Sequence, residues 1–577
     1  MTPFKLLALS CAFIAALGGL PQASFARDGA IYRSMDLAHP EWARHGMVVS
    51  QEAYASKIGL QILQQGGNAV DAAVAVGFGL AVTLPRAGNL GGGGFMMVHM
   101  ARENITVAID YREMAPARAH RDMYLDEQGN ADPRLSQFHG LSVGVPGTVM
   151  GLELALKEYG TMTLPQVMAP AIELAEQGFI VNPGLAGSLR GLKKRLAGWP
   201  STREIFYKDN GENYRPGDRL VQADLAQSLR IIAAEGSKGF YHGPLAEKIA
   251  AAVVEAGGVM TIEDLANYTA VIREPVTGTY RGYDIASMPP PSSGGTHIIE
   301  ILNIMEGYPV TELGHNSAAT IHLMAEAMKR AYADRSKYLG DPDFVTVPTT
   351  ALTDKSYAAH LRQTIDQNRA TPSKSLSPGQ PAPYESNETT HYSVVDKWGN
   401  VVSNTYTLNF SYGSGLVARG TGILLNNEMD DFSAKPGVPN GYGLIGGDSN
   451  AVAAGKRPLS SMSPTIVFKD GKPFLVTGSP GGSRIITSTL QVIMNVIDHG
   501  MNIAEATNST RIHHQWFPDQ LRIEKNLSPD TIQLLRDKGQ NVVVRSSMGS
   551  TQSIMITPEG LYGASDPRLR GALVAGY

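Results

Sequence analysis

The chain is almost devoid of cysteine, since Cys11 is the only one among its 577 residues and lies in an apolar N-terminal segment. A disulfide framework and a thiolate metal site are therefore excluded. An excess of charge of one sign is also missing, because 49 lysines and arginines are balanced by 53 aspartates and glutamates. The net charge of −4 provides no electrostatic footprint for binding nucleic acid or an anionic membrane.

The N-terminal segment has the layout of a secretory signal peptide. Lys5 precedes an apolar run at residues 6–20, and the small-residue site 24–26 follows. The sequence predicts cleavage after Ala26 and a periplasmic or secreted product. The apolar run is too short to span a bilayer as a helix. No later stretch reaches 18 apolar residues without a charge. We therefore expect no stable membrane anchor. An uncleaved N-terminal anchor is the alternative.

The rest of the chain is rich enough in apolar residues, at 43%, to build a large core. Hydrophobic periodicity predicts helices at Ala53–Leu63, Val70–Val82, Asp224–Ala234, Leu245–Ala256, Thr320–Tyr332 and Arg484–His499. Period-two patterns predict strands at Phe95–Met100, His391–Val395, Val401–Leu408 and Phe474–Thr477. The turn-rich segment Thr371–Glu388 is typical of a surface linker.

Two glycine-rich loops suggest different chemistry. Gly88–Gly94 follows a predicted helix and precedes a strand, which is the wrong order for a dinucleotide-binding fingerprint. Gly478–Ser483 has the strand–glycine–helix order but lacks the Lys-Ser/Thr ending of a phosphate loop. Backbone N–H groups at such a helix start can face a phosphate, a carboxylate or the oxyanion of acyl transfer. A plain tight turn is the alternative.

Common metal and hydrolase motifs are absent. His513 and His514 are adjacent, so they face different ways and make a poor chelating pair; structural or surface roles are favoured. The sequence contains no His-Glu-x-x-His motif and no Gly-x-Ser-x-Gly elbow. We therefore expect no metal site and no organic cofactor.

The boundary between the linker and the strand at His391–Val395 contains a candidate nucleophile. A threonine hydroxyl is a poor nucleophile until a base lies beside it, and a chain N-terminus supplies an α-amine that titrates near neutrality. Cleavage before Thr389 would place both groups on one residue. The spacing itself is equally that of an ordinary strand start, and it does not separate Thr389 from Thr390.

Several ordered motifs together resemble the γ-glutamyl transpeptidases (glutathione hydrolases), most closely the secreted bacterial ones. The similarity covers nearly all of the chain after the predicted signal peptide. The motifs that carry it are Asp110–Pro116, Val145–Thr148, Glu388–Asp396, Thr405–Asn409, Leu424–Ser433, Arg457–Thr465 and Gly478–Arg484.

The resemblance implies an N-terminal-nucleophile hydrolase fold, an α+β sandwich of two stacked sheets between helical layers. It also implies that a precursor cuts itself between Glu388 and Thr389. With the predicted signal peptide at residues 1–26 removed, this cut would give a large subunit at 27–388 and a small catalytic subunit at 389–577. The two subunits would remain together as one interwoven core.

The resemblance also assigns roles in catalysis. Thr389 would attack the Glu388 carbonyl during maturation and the γ-amide carbon of glutathione, or of another γ-glutamyl compound, during turnover. Water or an acceptor amino acid or dipeptide would then release the γ-glutamyl group. Thr405 would orient the nucleophile, and the N–H groups of Gly481 and Gly482 would form the oxyanion hole.

Donor recognition follows from the free α-amino acid end of a γ-glutamyl group. The planar fork of Arg112 suits its carboxylate. The resemblance places seven residues at the donor site: Arg112, Thr407, Asn409, Glu428, Asp431, Ser460 and Ser461. Glu428 and Asp431 would bind the ammonium, although some bacterial members carry Gln at the position of Glu428. Tyr442, in the loop at residues 436–447, matches the lid of lidded members.

Two other functions are compatible with the sequence. A β-lactam (cephalosporin) acylase of the same superfamily would act on glutaryl side chains, which lack the ammonium, so the need for Glu428 and Asp431 separates the two activities. A non-catalytic periplasmic amino-acid-binding protein would not be cut into two fragments.

Overall fold

The computed structural model describes residues 37–376 and 389–577. The predicted signal peptide, Cys11, Glu388 and most of the predicted linker lie outside these residues. Strands in the described ranges are β1 (Glu41–Ala43), β2 (Met47–Ser50), β3 (Gly93–Met100), β4 (Ile105–Tyr111), β5 (Phe179–Ile180), β6 (Arg219–Leu220), β7 (Val271–Arg273), β8 (Val276–Tyr280), β9 (Tyr283–Ser287), β10 (Thr390–Val395), β11 (Val401–Thr407), β12 (Val417–Ala418), β13 (Ile423–Leu424), β14 (Thr465–Lys469), β15 (Lys472–Thr477), β16 (Ile512–His513), β17 (Leu521–Glu524), β18 (Val542–Arg545), β19 (Gln552–Thr557), β20 (Gly560–Ser565) and β21 (Leu573–Gly576).

Helices surround the strands. They are α1 (Ala53–Gln64), α2 (Ala69–Thr83), α3 (Pro133–Gln137), α4 (Thr148–Tyr159), α5 (Leu164–Gln177), α6 (Pro183–Gly191), α7 (Lys193–Leu196), α8 (Pro200–Phe206), α9 (Ala223–Glu235), α10 (Ser237–Tyr241), α11 (Gly243–Glu255), α12 (Ile262–Ala266), α13 (Gly294–Met305), α14 (Val310–Leu313), α15 (Ala318–Tyr338), α16 (Thr349–Leu352), α17 (Lys355–Gln363), α18 (Arg484–Ile497), α19 (Ile503–Asn508) and α20 (Pro529–Asp537). Short 3₁₀ turns occur at Gly140–Ser142, Ser373–Ser375, Glu428–Asp431 and Asp448–Asn450.

Two antiparallel sheets of seven strands each form the centre of the molecule. One has the order β1-β20-β19-β15-β14-β9-β8, and the other has the order β21-β2-β10-β11-β3-β4-β7. Their inner faces share one apolar cluster, in which Met47, Phe95 and Val401 of the second sheet join Ile466 and Ile554 of the first. The sheets are therefore stacked face to face.

Helices cover both outer faces. Helices α1, α2, α4 and α5 pack in one large cluster against the outer face of the sheet that contains β10. Helices α13, α15, α18 and α19 form a second cluster against β9, β14 and β15 of the other sheet. This layering of helix, sheet, sheet and helix confirms the predicted α+β sandwich.

Helix α2 shows how small residues allow these layers to approach each other. All of its residues are buried, and Asn68 caps it by accepting bonds from the N–H groups of Val70 and Asp71. A Cβ atom added at Gly77 would lie 3.0 Å from the hydroxyl of Tyr392 in β10. The alanines and glycines of α2 thus let β10 lie close beneath it.

The predicted elements are present, with ends that differ by a few residues. The largest difference is at α15, which continues to Tyr338, beyond the predicted end at Tyr332. Its charged residues are not a solvated face, because Lys329 and Arg330 are buried and both pair with Glu326, at 2.7 and 2.9 Å. A charge pattern alone cannot distinguish a solvated face from an internal ion-pair network.

Strands from both sides of position 388 alternate within each sheet. In the second sheet, β10 lies between β2 and β11, while β11 lies between β10 and β3. In the first sheet, β14 lies between β15 and β9. Neither part of the chain therefore builds either of the two seven-stranded sheets by itself.

Candidate active site

A cavity of about 270 Å³, including its open mouth, lies where β10 begins. It brings together residues that are far apart in the sequence. The predicted site residues that line it are Arg112, Thr389, Thr407, Asn409, Glu428, Asp431, Tyr442, Ser460, Ser461 and Gly482. Thr405 and Gly481 are absent from this lining, and Glu388 lies outside the described residues.

Thr389 immediately precedes β10 and is almost fully buried, with 4% of its surface exposed. The antiparallel register pairs Thr390 with Tyr406 and His391 with Thr405. Its continuation brings Thr389 to Thr407, and the two hydroxyl oxygens are 3.4 Å apart. Because side chains alternate along a strand, Thr390 points to the other face of the sheet.

The same register places Thr405 away from Thr389. Its hydroxyl bonds to Nδ1 of His391 at 2.8 Å, and this pair lies two residues along β10 from Thr389. Burial lowers the pKa of His391 to about 3, so this imidazole is neutral. The hydroxyl beside the candidate nucleophile belongs to Thr407. Period-two alternation placed both threonines on one face, but only the register decides which of them faces Thr389.

The predicted oxyanion loop connects β15 to the start of α18. Gly481 and Gly482 have φ angles of 134° and 56°, which favour glycine. Ser483 occupies the N-cap position of α18, so backbone N–H groups of the first turn lie beside the cavity. This arrangement suits stabilisation of a negative oxygen.

Replacing Gly482 with alanine should lower kcat by about 10²-fold, because the new methyl group would displace either the loop or the lid. An added Cβ would lie 2.4 Å from the ring of Tyr442 in a backbone conformation that side chains rarely adopt. The matched control is Gly437→Ala, which has a similar positive φ of 82° but no described atom within 4 Å. Steady-state kinetics should separate the two variants, and equal losses of kcat would contradict the proposed close contact.

Arg112 forms the charged centre of the cavity wall. It follows β4 directly, is fully buried, and donates hydrogen bonds through its two terminal nitrogens to Glu428 and Asp431. Its Nε donates to the carbonyl of Pro458 at 3.1 Å. Burial opposes its charge, but the neighbouring carboxylates outweigh burial, so the pKa of Arg112 is raised above its usual value.

Three acids surround Arg112, and Arg335 provides a second positive charge near one of them, Asp431. Glu113 lies 3.6 Å from Arg112, alongside Glu428 and Asp431. Burial raises the pKa of all three acids, and Arg112 offsets this only in part; the pKa of Glu113 reaches about 7 and that of Glu428 is raised well above its usual value. The site therefore has an excess of acid groups, which favours a ligand that brings a positive charge.

Glu428→Gln should raise thermal stability at pH 8 by roughly 2 °C and leave it unchanged at pH 5. Because the native pKa of Glu428 is raised, the folded state keeps a proton that the unfolded chain has released. Stability is therefore lost as the pH rises from about 4.5 through the native pKa. Glutamine keeps the shape and removes this titration.

Melting curves at the two pH values test this prediction. Glu524→Gln is the control with the opposite sign: although burial opposes ionisation there, bonds from Arg568 lower the pKa of Glu524. That variant should be less stable than the parent at pH 8. A Glu428→Gln protein that melts below the parent at pH 8 would contradict the assignment of a raised pKa.

Ser460 and Ser461 also line the cavity. The Ser460 hydroxyl accepts the N–H of Met462 at 3.0 Å. Arg335 of α15 donates to the hydroxyls of Ser461, at 3.3 Å, and Ser293, at 2.9 Å. Sequence reasoning missed Arg335, because its position in a charged helix gave no sign that it would be buried against the site.

Asn409 connects the nucleophile side of the cavity to the lid loop. Its N–H donates to the Thr407 hydroxyl at 2.9 Å, and its side-chain amide donates to the carbonyl of Asn427 at 2.9 Å. The side-chain oxygen is buried without a hydrogen-bond partner among the described residues. The Tyr442 hydroxyl donates to the Asn409 carbonyl at 2.8 Å. The free amide oxygen thus offers an acceptor to a ligand.

Within residues 37–376 and 389–577, no group of three or more histidines, cysteines, aspartates and glutamates is arranged to hold a metal ion. In the same part of the chain, no helix combines the length and apolar character needed to cross a membrane.

Known proteins resemble this chain over nearly its whole length. A family model described as Gamma-glutamyltranspeptidase matches residues 55–576. A glutathione hydrolase proenzyme of Escherichia coli (strain K12) is 58% identical over 574 residues, covering 99% of this chain and 98% of that protein.

Solved structures show the same fold. A cephalosporin acylase from Bacillus halodurans has a TM-score of 0.84 at 30% identity, covering 96% of this chain and 99% of that one. A gamma-glutamyltranspeptidase from Helicobacter pylori has a TM-score of 0.56 at 46% identity, covering 60% of this chain and 97% of that one.

The layered fold, with a threonine at the start of a central strand, defines an N-terminal-nucleophile hydrolase. The family match and the close relative narrow the class further. The chain belongs to the gamma-glutamyltranspeptidase family.

Proposed function

We propose that the chain is a self-processing γ-glutamyl transpeptidase that cleaves glutathione and related γ-glutamyl compounds. The observation that carries this proposal is a single cavity in which the Thr389 hydroxyl faces the cluster of Arg112, Glu428 and Asp431. One part of the cavity suits acyl transfer, and the other suits a free α-amino acid. A γ-glutamyl amide has both features in one molecule.

Maturation uses the Thr389 hydroxyl first. It attacks the carbonyl carbon of Glu388, the peptide C–N bond breaks, and the released nitrogen becomes the α-amine of Thr389. Water then hydrolyses the ester between the two residues. The products are residues 27–388 and 389–577, after removal of the signal peptide at 1–26. The alternation of strands from both parts within each sheet supports their remaining together as a heterodimer.

Turnover uses the same hydroxyl with the new α-amine as its base. Thr389 Oγ1 bonds to the γ-carbonyl carbon of the donor, and the α-amine takes up the hydroxyl proton. The amide C–N bond then breaks, and that proton passes to the leaving amine. Water, or the amine of an acceptor amino acid or dipeptide, resolves the γ-glutamyl ester. The N–H groups near Gly481 and Gly482 stabilise the oxyanion of both steps.

Donor binding exchanges partners within the charged cluster. In the structure, Arg112 bonds to Glu428 and Asp431. A γ-glutamyl group offers a carboxylate to Arg112 and an ammonium to Glu428 and Asp431. Ser460, Ser461 and the free oxygen of Asn409 supply further polar contacts. A ligand that lacks the ammonium leaves buried acids without a partner, which is costly.

A cephalosporin acylase activity is the second candidate, favoured by the close structural similarity to the Bacillus halodurans acylase. Its glutaryl substrate would bind Arg112 but bring no ammonium to Glu428 and Asp431. The acid excess of this cavity therefore favours the γ-glutamyl donor.

Three measurements test the proposed function and the location of the product. N-terminal sequencing of the smaller fragment should begin at Thr389. Release of p-nitroaniline should be at least about 10²-fold faster from γ-glutamyl-p-nitroanilide than from the glutaryl analogue, and Asp431→Ala should remove most of this preference. Equal rates with the two anilides would favour the acylase, and an active but uncut chain would defeat the mechanism. Fractionation of cells should find the product in the periplasm or medium.

A further inference from the structure

The segment from Arg511 to Trp516 carries a pair of histidines that the proposed mechanism does not use. His513 is fully buried, and burial lowers its pKa to about 3, so it is neutral. One ring nitrogen bonds to the Thr487 hydroxyl of α18, and the other to the side-chain oxygen of Gln515, both at 2.9 Å. His513 therefore serves to orient Gln515.

Gln515 uses the full hydrogen-bonding capacity of its side chain. Its oxygen accepts from His513 and from the Ser483 hydroxyl, the latter at 2.7 Å. Its amide nitrogen donates to the carbonyls of Tyr442 and Gly443, at 3.3 and 3.2 Å. The reverse orientation would place the amide oxygen against two carbonyl oxygens, so the lid carbonyls fix which way the amide faces.

These four bonds join two parts of the site. Ser483 follows the two glycines of the oxyanion loop and occupies the N-cap position of α18, whereas Tyr442 and Gly443 lie in the lid loop. The ring of Tyr442 fills the space where a side chain of Gly482 would lie. Gln515 thus fixes the distance between the lid loop and the oxyanion loop.

We propose that Gln515 is a positioning residue that clamps the lid loop onto the oxyanion loop and thereby keeps water away from the acyl-enzyme. The role in keeping water away from the acyl-enzyme rests on the proposed function. A lid held closed shields the γ-glutamyl ester until an acceptor arrives, so the strength of the clamp tunes the balance between transfer and hydrolysis.

Gln515→Glu isolates the clamp. A glutamate keeps an acceptor for Ser483 and His513 but replaces the two N–H donors to the lid with an oxygen that repels its carbonyls. Hydrogen exchange of lid amides at residues 436–447 in the processed protein should become about tenfold faster. Gln515→Leu, which removes the polar group altogether, should shift exchange in the same direction if the glutamate variant fails to fold.

Gln491 provides a matched control. It is also buried, and its amide nitrogen donates to two main-chain carbonyls, those of Thr487 and Ile512, outside the lid. Gln491→Glu should lose comparable stability without changing exchange in the lid. Lid exchange that is unchanged in both Gln515 variants, or equally accelerated in Gln491→Glu, would overturn the clamp.

The kinetic measurement uses γ-glutamyl-p-nitroanilide with glycylglycine as acceptor. The ratio of transfer product to free glutamate should fall by up to about tenfold in Gln515→Glu, because hydrolysis through the open lid scales with the open population. Faster lid exchange with an unchanged ratio would overturn the role in excluding water. A parent protein that releases no p-nitroaniline would refute the proposed function instead, and lid exchange would still decide the clamp.

Discussion

Thr389→Ala should yield a single uncut chain that is inactive toward γ-glutamyl-p-nitroanilide. The same hydroxyl is required for maturation and for turnover, and no other group can replace its covalent role, so we expect a loss of about 10⁴-fold or more. The hydroxyl also lies in the cavity wall, 3.4 Å from that of Thr407. A denaturing gel and an assay of p-nitroaniline release measure the two effects.

Thr390→Val is the matched control, because it replaces the hydroxyl of the neighbouring threonine with a methyl group of similar size. The Thr390 hydroxyl is buried and has no hydrogen-bond partner among the described residues. Valine keeps the branched shape that suits β10. This variant should be cut before Thr389 as in the parent. A Thr389→Ala protein that still releases a fragment beginning at residue 389 would refute the assignment of the nucleophile.

Arg112→Gln should lower kcat/KM for a γ-glutamyl donor by about 10²–10⁴-fold. Two charge-assisted bonds to the donor carboxylate would be lost, each worth ~1.5–3 kcal/mol. The same change leaves Glu113, Glu428 and Asp431 without their shared cation, which should cost ~3–5 kcal/mol of stability near neutral pH. Part of this stability should return as the pH falls, because the acids then become neutral.

Arg457→Gln separates the loss of donor binding from the loss of stability. Arg457 is buried beside Asp110, with its Nε 3.6 Å from the carboxylate, rather than in the cavity wall. Its replacement should also destabilise the protein while leaving KM for the donor near that of the parent. Chemical denaturation and steady-state kinetics on both variants provide the comparison. An Arg112→Gln variant that loses stability but keeps its KM would restrict Arg112 to a structural role.

Local pattern predicted several of the longer helices and strands, but not their arrangement in space. Strand-forming valines at the end of β10 and at the start of β11 indicate these two strands. The order of strand, glycine-rich loop and helix before α18 is also visible in the sequence. The overall layering came from the resemblance of ordered motifs, because periodicity does not say which strands are neighbours. The extension of α15 was missed, since its charged residues are neutralised inside the core rather than by solvent.

The site was harder to predict, because its geometry depends on contacts distant in sequence. The choice between Thr405 and Thr407 depends on a register that only the paired strands reveal. Arg335 reaches Ser461 from a helix more than a hundred residues earlier in the chain, and Gln515 reaches the lid from the opposite direction. In each case the local sequence gives no sign of a role in the site. The role follows from contacts with residues that are distant in the chain.

The alternation of strands from the two parts of the chain also determines how the protein can recover from denaturant. Once the bond before Thr389 is cut, β10 and β11 belong to one polypeptide and their neighbours β2 and β3 to another. Renaturation then becomes a second-order encounter that slows on dilution, whereas an uncut chain would regain its structure in a first-order process. Self-cleavage thus makes recovery of the fold dependent on the protein concentration.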